Sequence, residues 1–356
     1  FLLRHLDSRE ITTVSFGWER SMDLGIAIRV ARHAGVRHEQ VNLERDAWSL
    51  CQHENLVEMA RQSVRPVPLF QAAINQAAVR PYRGSDAMVW SGWGGDAVAG
   101  SHDPKVPASS WAREARSFLA MNWDDPTGLV PIDAVDGLLP SEPYVDRQAM
   151  PWALQLDIGL RQLGYTWRVV VPRGVRGAVP LMHPAWVNAW SRQPRDRRWR
   201  QSLYKAFAKS ALPRLFSIPV RGSYGARVDA ALPSVLAARI GVAIADRTSK
   251  WKATRGRRRH VSMLANYFPF SWLRDSPELP TLGVAARLTQ QAWPADWVNR
   301  AVSRTLEATQ GDIRGGLFWE RLVSLAYHIE WGGSASPNDN AERGPRHDGT
   351  FDTRRG

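Results

Sequence analysis

Short apolar runs and helical stripes alternate over the first hundred residues. Ile11 to Phe16 (ITTVSF) is β-branched and aromatic, as in a buried strand, and GWERS follows as a turn. From Met22 to Ala34 (MDLGIAIRVARHA), Leu24, Ile28 and Ala31 share one helical stripe, with Ile26 and Val30 beside it and Gly35 placed as a C-cap. Glu39 to Leu43 predicts a second strand. A long helix is expected over about 46–63, broken by Pro66 and Pro68, then a helix over 69–80 and a third strand over Ala87 to Trp90. This order of elements predicts an α/β fold, a parallel sheet with right-handed crossovers.

The pattern changes after about 104. Pro104, Pro107, Pro126, Pro131 and Pro140 punctuate short segments, and most of 109–330 predicts helices joined by Pro/Gly loops. Two examples are 199–212 (WRQSLYKAFAKSAL) and 317–331 (LFWERLVSLAYHIEW), the second with Leu317, Phe318, Leu322, Leu325 and Ile329 expected to face a core. The basic runs at 195–200 (RDRRWR) and 255–259 (RGRRR) are expected to be solvated faces. The expected division is 1–103 for a truncated α/β nucleotide-binding part, 104–331 for a mostly helical remainder and 332–356 for a polar, disordered tail. The apolar run IGVAIA (240–245) is far shorter than the roughly 20 residues a membrane span needs, so no membrane partner is expected.

Composition narrows the function classes. The 356 residues carry 47 Lys and Arg against 34 Asp and Glu, a net charge of +13. That charge fits a polyanion or an anionic small molecule such as a nucleotide, and equally a compositional bias with no binding consequence. A nucleic-acid-binding protein is therefore kept as a minor alternative. Cys51 is the single cysteine, which excludes internal disulfides and cysteine-based zinc sites and points to a reducing cytoplasm. The opening FLLRHL is expected to be the end of a helix in a chain truncated at its N-terminus, not a signal peptide.

HExxH, GxxxxGKS, CxxC and GxSxG motifs are all absent, and His38, His102, His183 and His260 are scattered, each expected to be structural. The stretch Met88 to Gly100, MVWSGWGGDAVAG, stands out. Gly92, Gly94 and Ala97 formally satisfy G-x-G-x-x-A. Pro104 and Pro107 come too soon for the long helix a dinucleotide fold requires, and no ribose-binding acid follows at the right distance. An acid beside a glycine turn can instead hold magnesium, which bridges to phosphate oxygens, while the glycines bring backbone N–H groups close. The alternative is a tight strand-to-helix turn in which Asp96 caps the next N–H groups.

Val14 to Gly100 resembles the C-terminal synthetase domain of the asparagine synthase (glutamine-hydrolysing) family. VSFGWERSMDLGIAIRVARHAGVRHEQVNL (14–43) is similar to the family's strand, S-x-D-L, alanine-rich helix, Gly, His and strand. PVPLFQAA (66–73) falls where the family has a helix after a proline, and SGWGGDAVAG (91–100) looks like S-G-x-G-(G/S)-D-E-x-x-G. VPLMHPAWVNAW (179–190), LYKAFAKSALP (203–213) and VRGSYG (220–225) extend the likeness more weakly. The resemblance implies a parallel sheet of the adenine nucleotide alpha-hydrolase (HUP-like) type, incomplete at the N-terminus. It also implies an ATP loop, S-G-G-x-D-S, upstream of Phe1. Leu6–Ser8 is not that loop, because Arg4 and His5 stand in place of its glycines, and Cys51 is not the cysteine of a glutaminase domain. The chain alone is accordingly expected to be inactive.

The implied activity is an ATP-dependent ligase forming a carbon–nitrogen bond. A carboxylate is activated as an acyl-adenylate with ATP and Mg2+, and AMP and pyrophosphate are released. Ammonia from glutamine, or another amine, then attacks. By resemblance Asp96 ligates Mg2+, and Ser91, Gly92, Gly94 and Gly95 shape the nucleotide loop. Val14, Ser15, Phe16 and Gly17 form the floor near adenine. Arg198 and Arg221 stand near lysines that face pyrophosphate and the reaction intermediate. Three positions depart from the family. Trp93 replaces an acid that contacts the amine, Ala97 replaces the acid after the aspartate, and Arg221 replaces a catalytic lysine, keeping charge but serving poorly as a proton carrier. These departures favour a carboxylate other than aspartate, or a peptide substrate. The competing expectation is a catalytically degenerate paralogue that acts as a binding or scaffold protein.

Overall fold

The computed structural model describes residues 5–19, 21–62, 67–123, 125, 131–163, 174–228, 230–255, 295–308 and 313–331. The fold is mixed α/β, dominated by helices. Strand β1 (Thr12–Gly17) pairs in parallel with β2 (Arg37–Asn42), Thr12 opposite Arg37 and Gly17 opposite Asn42. Helix α1 (Met22–Ala34) makes the crossover over the predicted residues. The Ser21 hydroxyl accepts the Leu24 N–H at 3.3 Å, and Gly35 turns left-handed at φ +67° so that its N–H reaches the Ala31 and Arg32 carbonyls. β2 begins two residues before the expected strand and stops at Asn42, because Leu43 is fully buried as the first residue of α2 (Leu43–Leu50). The single helix expected over 46–63 breaks at Cys51 and Gln52 before α3 (His53–Gln62), and α4 (Leu69–Val79) follows Pro68. Pro66 lies outside the described residues.

Strand β3 (Met88–Trp90) forms as predicted but does not join β1 and β2. It pairs in parallel with β4 (Arg176–Ala178), and Ser91 extends the ladder by donating to the Ala178 carbonyl at 3.0 Å. The expected single sheet is therefore replaced by two two-stranded sheets among the described residues. β4 has the sequence RGA, with no β-branched or aromatic residue, so only its partner makes it a strand.

Helices α5 (Trp111–Asn122), α6 (Trp152–Leu156, running into a π-helical turn at Asp157–Gln162), α7 (Pro184–Ser191) and α8 (Ser202–Ala211) come next in the described chain. Helices α9 (Leu232–Arg255), α10 (Ala295–Ala308) and α11 (Ile313–Trp331) follow. The helix expected over 199–212 is interrupted at its start, where Arg200 and Gln201 take φ of +53° and +60°. The run at 195–200 is not a solvated face throughout, since Arg198 is fully buried. His260, residues 256–259 and the tail from Gly332 lie outside the described residues. Among those described, no helix is long and apolar enough to cross a membrane.

The largest core sits on α4, where Leu69, Phe70, Ala72, Ala73 and Ile74 pack against Trp18, Leu43, Leu56 and, from α11, Leu322, Val323, Ala326 and Tyr327. The α11 stripe is rotated from the expected one. Leu322 is buried as predicted, Leu325 is half-buried and Ile329 is exposed, while the side chains of Leu317 and Phe318 fall outside the description. The buried face carries Glu320, Ser324 and His328 instead, one helical turn apart. Val67 N–H donates to His328 Nε2 at 3.0 Å, Leu69 N–H to Ser324 Oγ at 2.9 Å and Gln71 N–H to Glu320 Oε1 at 3.3 Å. These donors lie at the start of α4, where Pro68 occupies the N-cap and offers no side-chain acceptor. Three polar side chains from a distant helix thus replace a local cap.

Ser324→Ala should strand the buried Leu69 N–H and lower stability by about 1–3 kcal/mol in urea denaturation. Burial raises the Glu320 carboxyl to about 7, although the Gln71 N–H and nearby Arg321 oppose the shift. Its contribution to stability is full below the ordinary value of 4.5 and is lost as pH rises through about 7. Burial lowers His328 instead, so its contribution is lost as pH falls below 6.5. Glu320→Gln keeps the acceptor and removes the buried charge. Denaturation should find this variant more stable than the wild type at pH 8, with the difference vanishing near pH 4.

Candidate functional site

The glycine loop leaves the C-terminal end of β3 and turns at once into one helical turn, Gly95–Val98. Packing explains Gly94, Gly95 and Gly100. Gly94 sits at φ +77°, and a Cβ there would overlap the Met182 thioether; at Gly95 it would overlap the Leu181 side chain. Gly100, at φ +93°, lies against the Arg198 carbonyl, whereas a Cβ on Gly92 would meet open space. Much of the loop's backbone is engaged internally. The Trp93 N–H donates to Ser91 Oγ at 3.2 Å, Gly95 to the Gly92 carbonyl at 3.2 Å and Ala97 to Asp96 Oδ1 at 2.8 Å. The last bond serves one N–H only, and the N-cap of the turn is Gly94 with no side-chain cap, so the capping of several N–H groups expected of Asp96 is not formed.

Asp96 belongs to a charged chain that the sequence did not suggest. His102 Nε2 lies 3.4 Å from Asp96 Oδ2, and His102 Nδ1 lies 2.7 Å from Asp157 Oδ2. Asp157 is held in turn by Arg161 Nε at 2.6 Å and Gln162 Nε2 at 3.3 Å, all three on the π-helical turn. Arg161 also approaches His102 Nδ1 at 2.5 Å, but that nitrogen cannot accept from Arg161 while donating to Asp157. The carboxylate carries the opposite charge and is the better partner. Burial pushes the His102 pKa down, yet bonding to Asp157 and Asp96 outweighs it and raises the value to about 9. His102 holds Asp96 below the usual carboxylate range. His102 is thus a cation between two carboxylates. Trp93, expected at the amine position, donates its indole N–H to the Gln162 carbonyl at 3.3 Å, so the same turn backs the loop. The i,i+4 spacing of Asp157 and Arg161 is a sequence signal from which part of this chain could have been found.

The other predicted site residues fall elsewhere. Arg198 is fully buried beside the end of the loop, with its NH2 group 3.0 Å from Asp103 Oδ1, and its Nε and NH1 have no hydrogen-bond partner. Burial lowers the Arg198 pKa and raises that of Asp103. Val14, Ser15 and Phe16 are half-buried on β1 and Gly17 is buried, with Phe16 packed against the α4 core. Arg221 lies at the start of α1, its Nε 3.6 Å from Asp23 Oδ2. His183 accepts the Ala185 N–H to cap α7, and His38 Nδ1 meets the Thr13 hydroxyl at 2.9 Å, both structural as expected. Cys51 is a buried free thiol whose pKa burial raises. Among the described residues, no group of three or more His, Cys, Asp or Glu is arranged to hold a metal ion. A cavity of about 100 Å³ lies between α3 and α4, bordered by Glu58, Gln76, Arg80 and Arg83, away from the loop.

No protein-family model, curated protein or solved structure matches the chain.

Gly100→Ala should destabilise the fold by at least about 1 kcal/mol in denaturant titration, since it meets both a left-handed φ and a backbone carbonyl. Gly92→Ala should stay within about 0.5 kcal/mol of the wild type. The raised His102 pKa stabilises the fold fully below 6.5, and that contribution is lost as pH rises through about 9. Asp157→Asn should bring the His102 midpoint down from about 9 in an NMR titration of the ring protons and flatten this part of the stability profile.

Proposed function

We propose that the chain is the synthetase part of an asparagine synthase-like enzyme, which forms an amide through an acyl-adenylate and releases AMP and pyrophosphate. The substrates are a small carboxylate, aspartate or another, or a peptide, together with ammonia or another amine. The observation that carries this reading is the place of the Ser91–Asp96 loop at the C-terminal end of a parallel strand pair, the edge at which α/β folds bind ligands. The β1–α1–β2 crossover, the repeating unit of a HUP-like sheet, and Arg221 beside Asp23 at the same end of β1 support it.

The Asp96 side chain is 58% exposed, and magnesium commonly takes one or two carboxylates plus water and substrate phosphates, so this carboxylate suits the ion. Magnesium, when bound, neutralises charge developing on the leaving pyrophosphate. His102 adds a fixed positive charge beside Asp96. Arg221 offers a partly exposed cation for an anionic intermediate. Trp93 takes no proton from an attacking amine, and its ring forms an apolar wall that selects the acceptor by shape. Arg198 is buried and has no part in substrate contact.

A second reading, a degenerate paralogue that binds without catalysis, is favoured by the Asp96–His102 contact and by the side chains of Leu181 and Met182 packed over the glycines.

Carboxylate-dependent ATP–pyrophosphate exchange decides between them, using the chain extended upstream through the implied ATP loop. The enzyme reading expects exchange that Asp96→Ala lowers by about a hundredfold or more. Absence of exchange with every carboxylate tried, together with absence of ATP binding, would overturn the enzyme reading.

A further inference from the structure

Helix α9 has apolar side chains on two faces. Val242 is buried, with Val235, Ala238 and Ala245 half-buried along the same side. On the other side Leu232, Leu236, Ile240 and Ile244 follow one another at four-residue spacing, and Trp251 ends the row. Leu232 is 71% exposed, Ile240 and Ile244 are each 60% exposed and Trp251 is 54% exposed. At 1.5 Å per residue the row is about 28 Å long. Single exposed apolar residues are ordinary, but several aligned on one face mark an interaction surface.

The charge around the row selects the occupant. The second half of α9 carries Arg247, Lys250, Lys252 and Arg255 against one acid, Asp246, and the sequence continues as GRRR. Arg239 stacks over the Tyr224 ring at 5.6 Å, fastening the helix to the loop that carries Arg221. A second copy laid on this face would bring these cations, and a net charge of +13 on each chain, against one another. An anionic lipid surface complements both features. On such a surface aliphatic side chains enter the headgroup boundary, tryptophan favours headgroup depth and basic residues favour the phosphates. No described helix is long and apolar enough to span a bilayer, so contact of this kind lies along the surface. We infer that α9 docks the protein on an anionic membrane surface through the Leu232–Trp251 row.

Co-sedimentation of the full chain with phosphatidylcholine vesicles, with and without phosphatidylglycerol, tests the inference. The chain should pellet only with the anionic vesicles. Ile240→Ser combined with Ile244→Ser, which leaves the net charge unchanged, should lower partitioning by about tenfold or more, the loss of two inserted aliphatic side chains, with circular dichroism unchanged. If that variant loses its helical spectrum, Ile240→Ser alone is used in its place and should also reduce binding. Equal pelleting of variant and wild type would mean that net charge alone drives adsorption and would overturn the proposal, as would absence of binding to anionic vesicles. A lipid-independent dimer dissolved by the double substitution, without vesicle binding, would assign the row to a second copy and overturn it too.

Discussion

The main core depends on how the start of α4 is satisfied. A helix begins with backbone N–H groups that have no partner within the helix, and Pro68 at the N-cap supplies none. Glu320, Ser324 and His328 reach these groups from α11. The apolar face of α4 can therefore be buried from its first residue, Leu69, and β1, β2 and α3 pack around it. The contact joins residues far apart in sequence, so the core closes only when α11 has docked. It also places a carboxyl and an imidazole inside, which ties the stability of the core to pH in opposite directions.

The glycine loop is shaped by the same rule, that buried backbone must be both packed and satisfied. Leu181 and Met182 lie over Gly94 and Gly95, and Arg198 approaches Gly100 through its carbonyl. The loop thus owes its form first to neighbours within the chain. What remains open to chemistry is the exposed side of Asp96, flanked by His102 and by the Trp93 ring. The π-helical turn orients both flanks, because Asp157 holds the imidazole and the Gln162 carbonyl holds the indole. Irregular turns of this kind cost regular hydrogen bonding and often mark sites where side-chain placement matters.

Local signals were legible in the sequence where their physics is local. The bounds of α1 follow from Ser21, Gly35 and the stripe between them, and β1, α4 and β3 stand close to where apolar runs and prolines placed them. The tight strand-to-helix turn at the glycines was also readable, although its N-cap is Gly94 and Asp96 bonds the Ala97 N–H alone. The His102 chain was not readable, because its members are joined only when the loop segment through His102 and the π-helical turn converge. Arg198 read as a surface cation because a run of arginines usually is solvated, whereas its partner Asp103 is recruited by the close approach at Gly100.

The sequence by itself determined the α/β class, the βαβ unit at the start and the position of the glycine loop after a strand. Periodicity, capping and turn chemistry act over a few residues and need no partner. Only the tertiary structure decided that β3 pairs with β4 instead of β2, that α11 turns a polar stripe inward and that α9 leaves an apolar row outside. Strand partners, buried polar contacts and uncovered faces are set by which distant segments meet. A short strand such as RGA has no preference of its own, and a Glu, Ser or His on a helix faces inward only when backbone donors wait there.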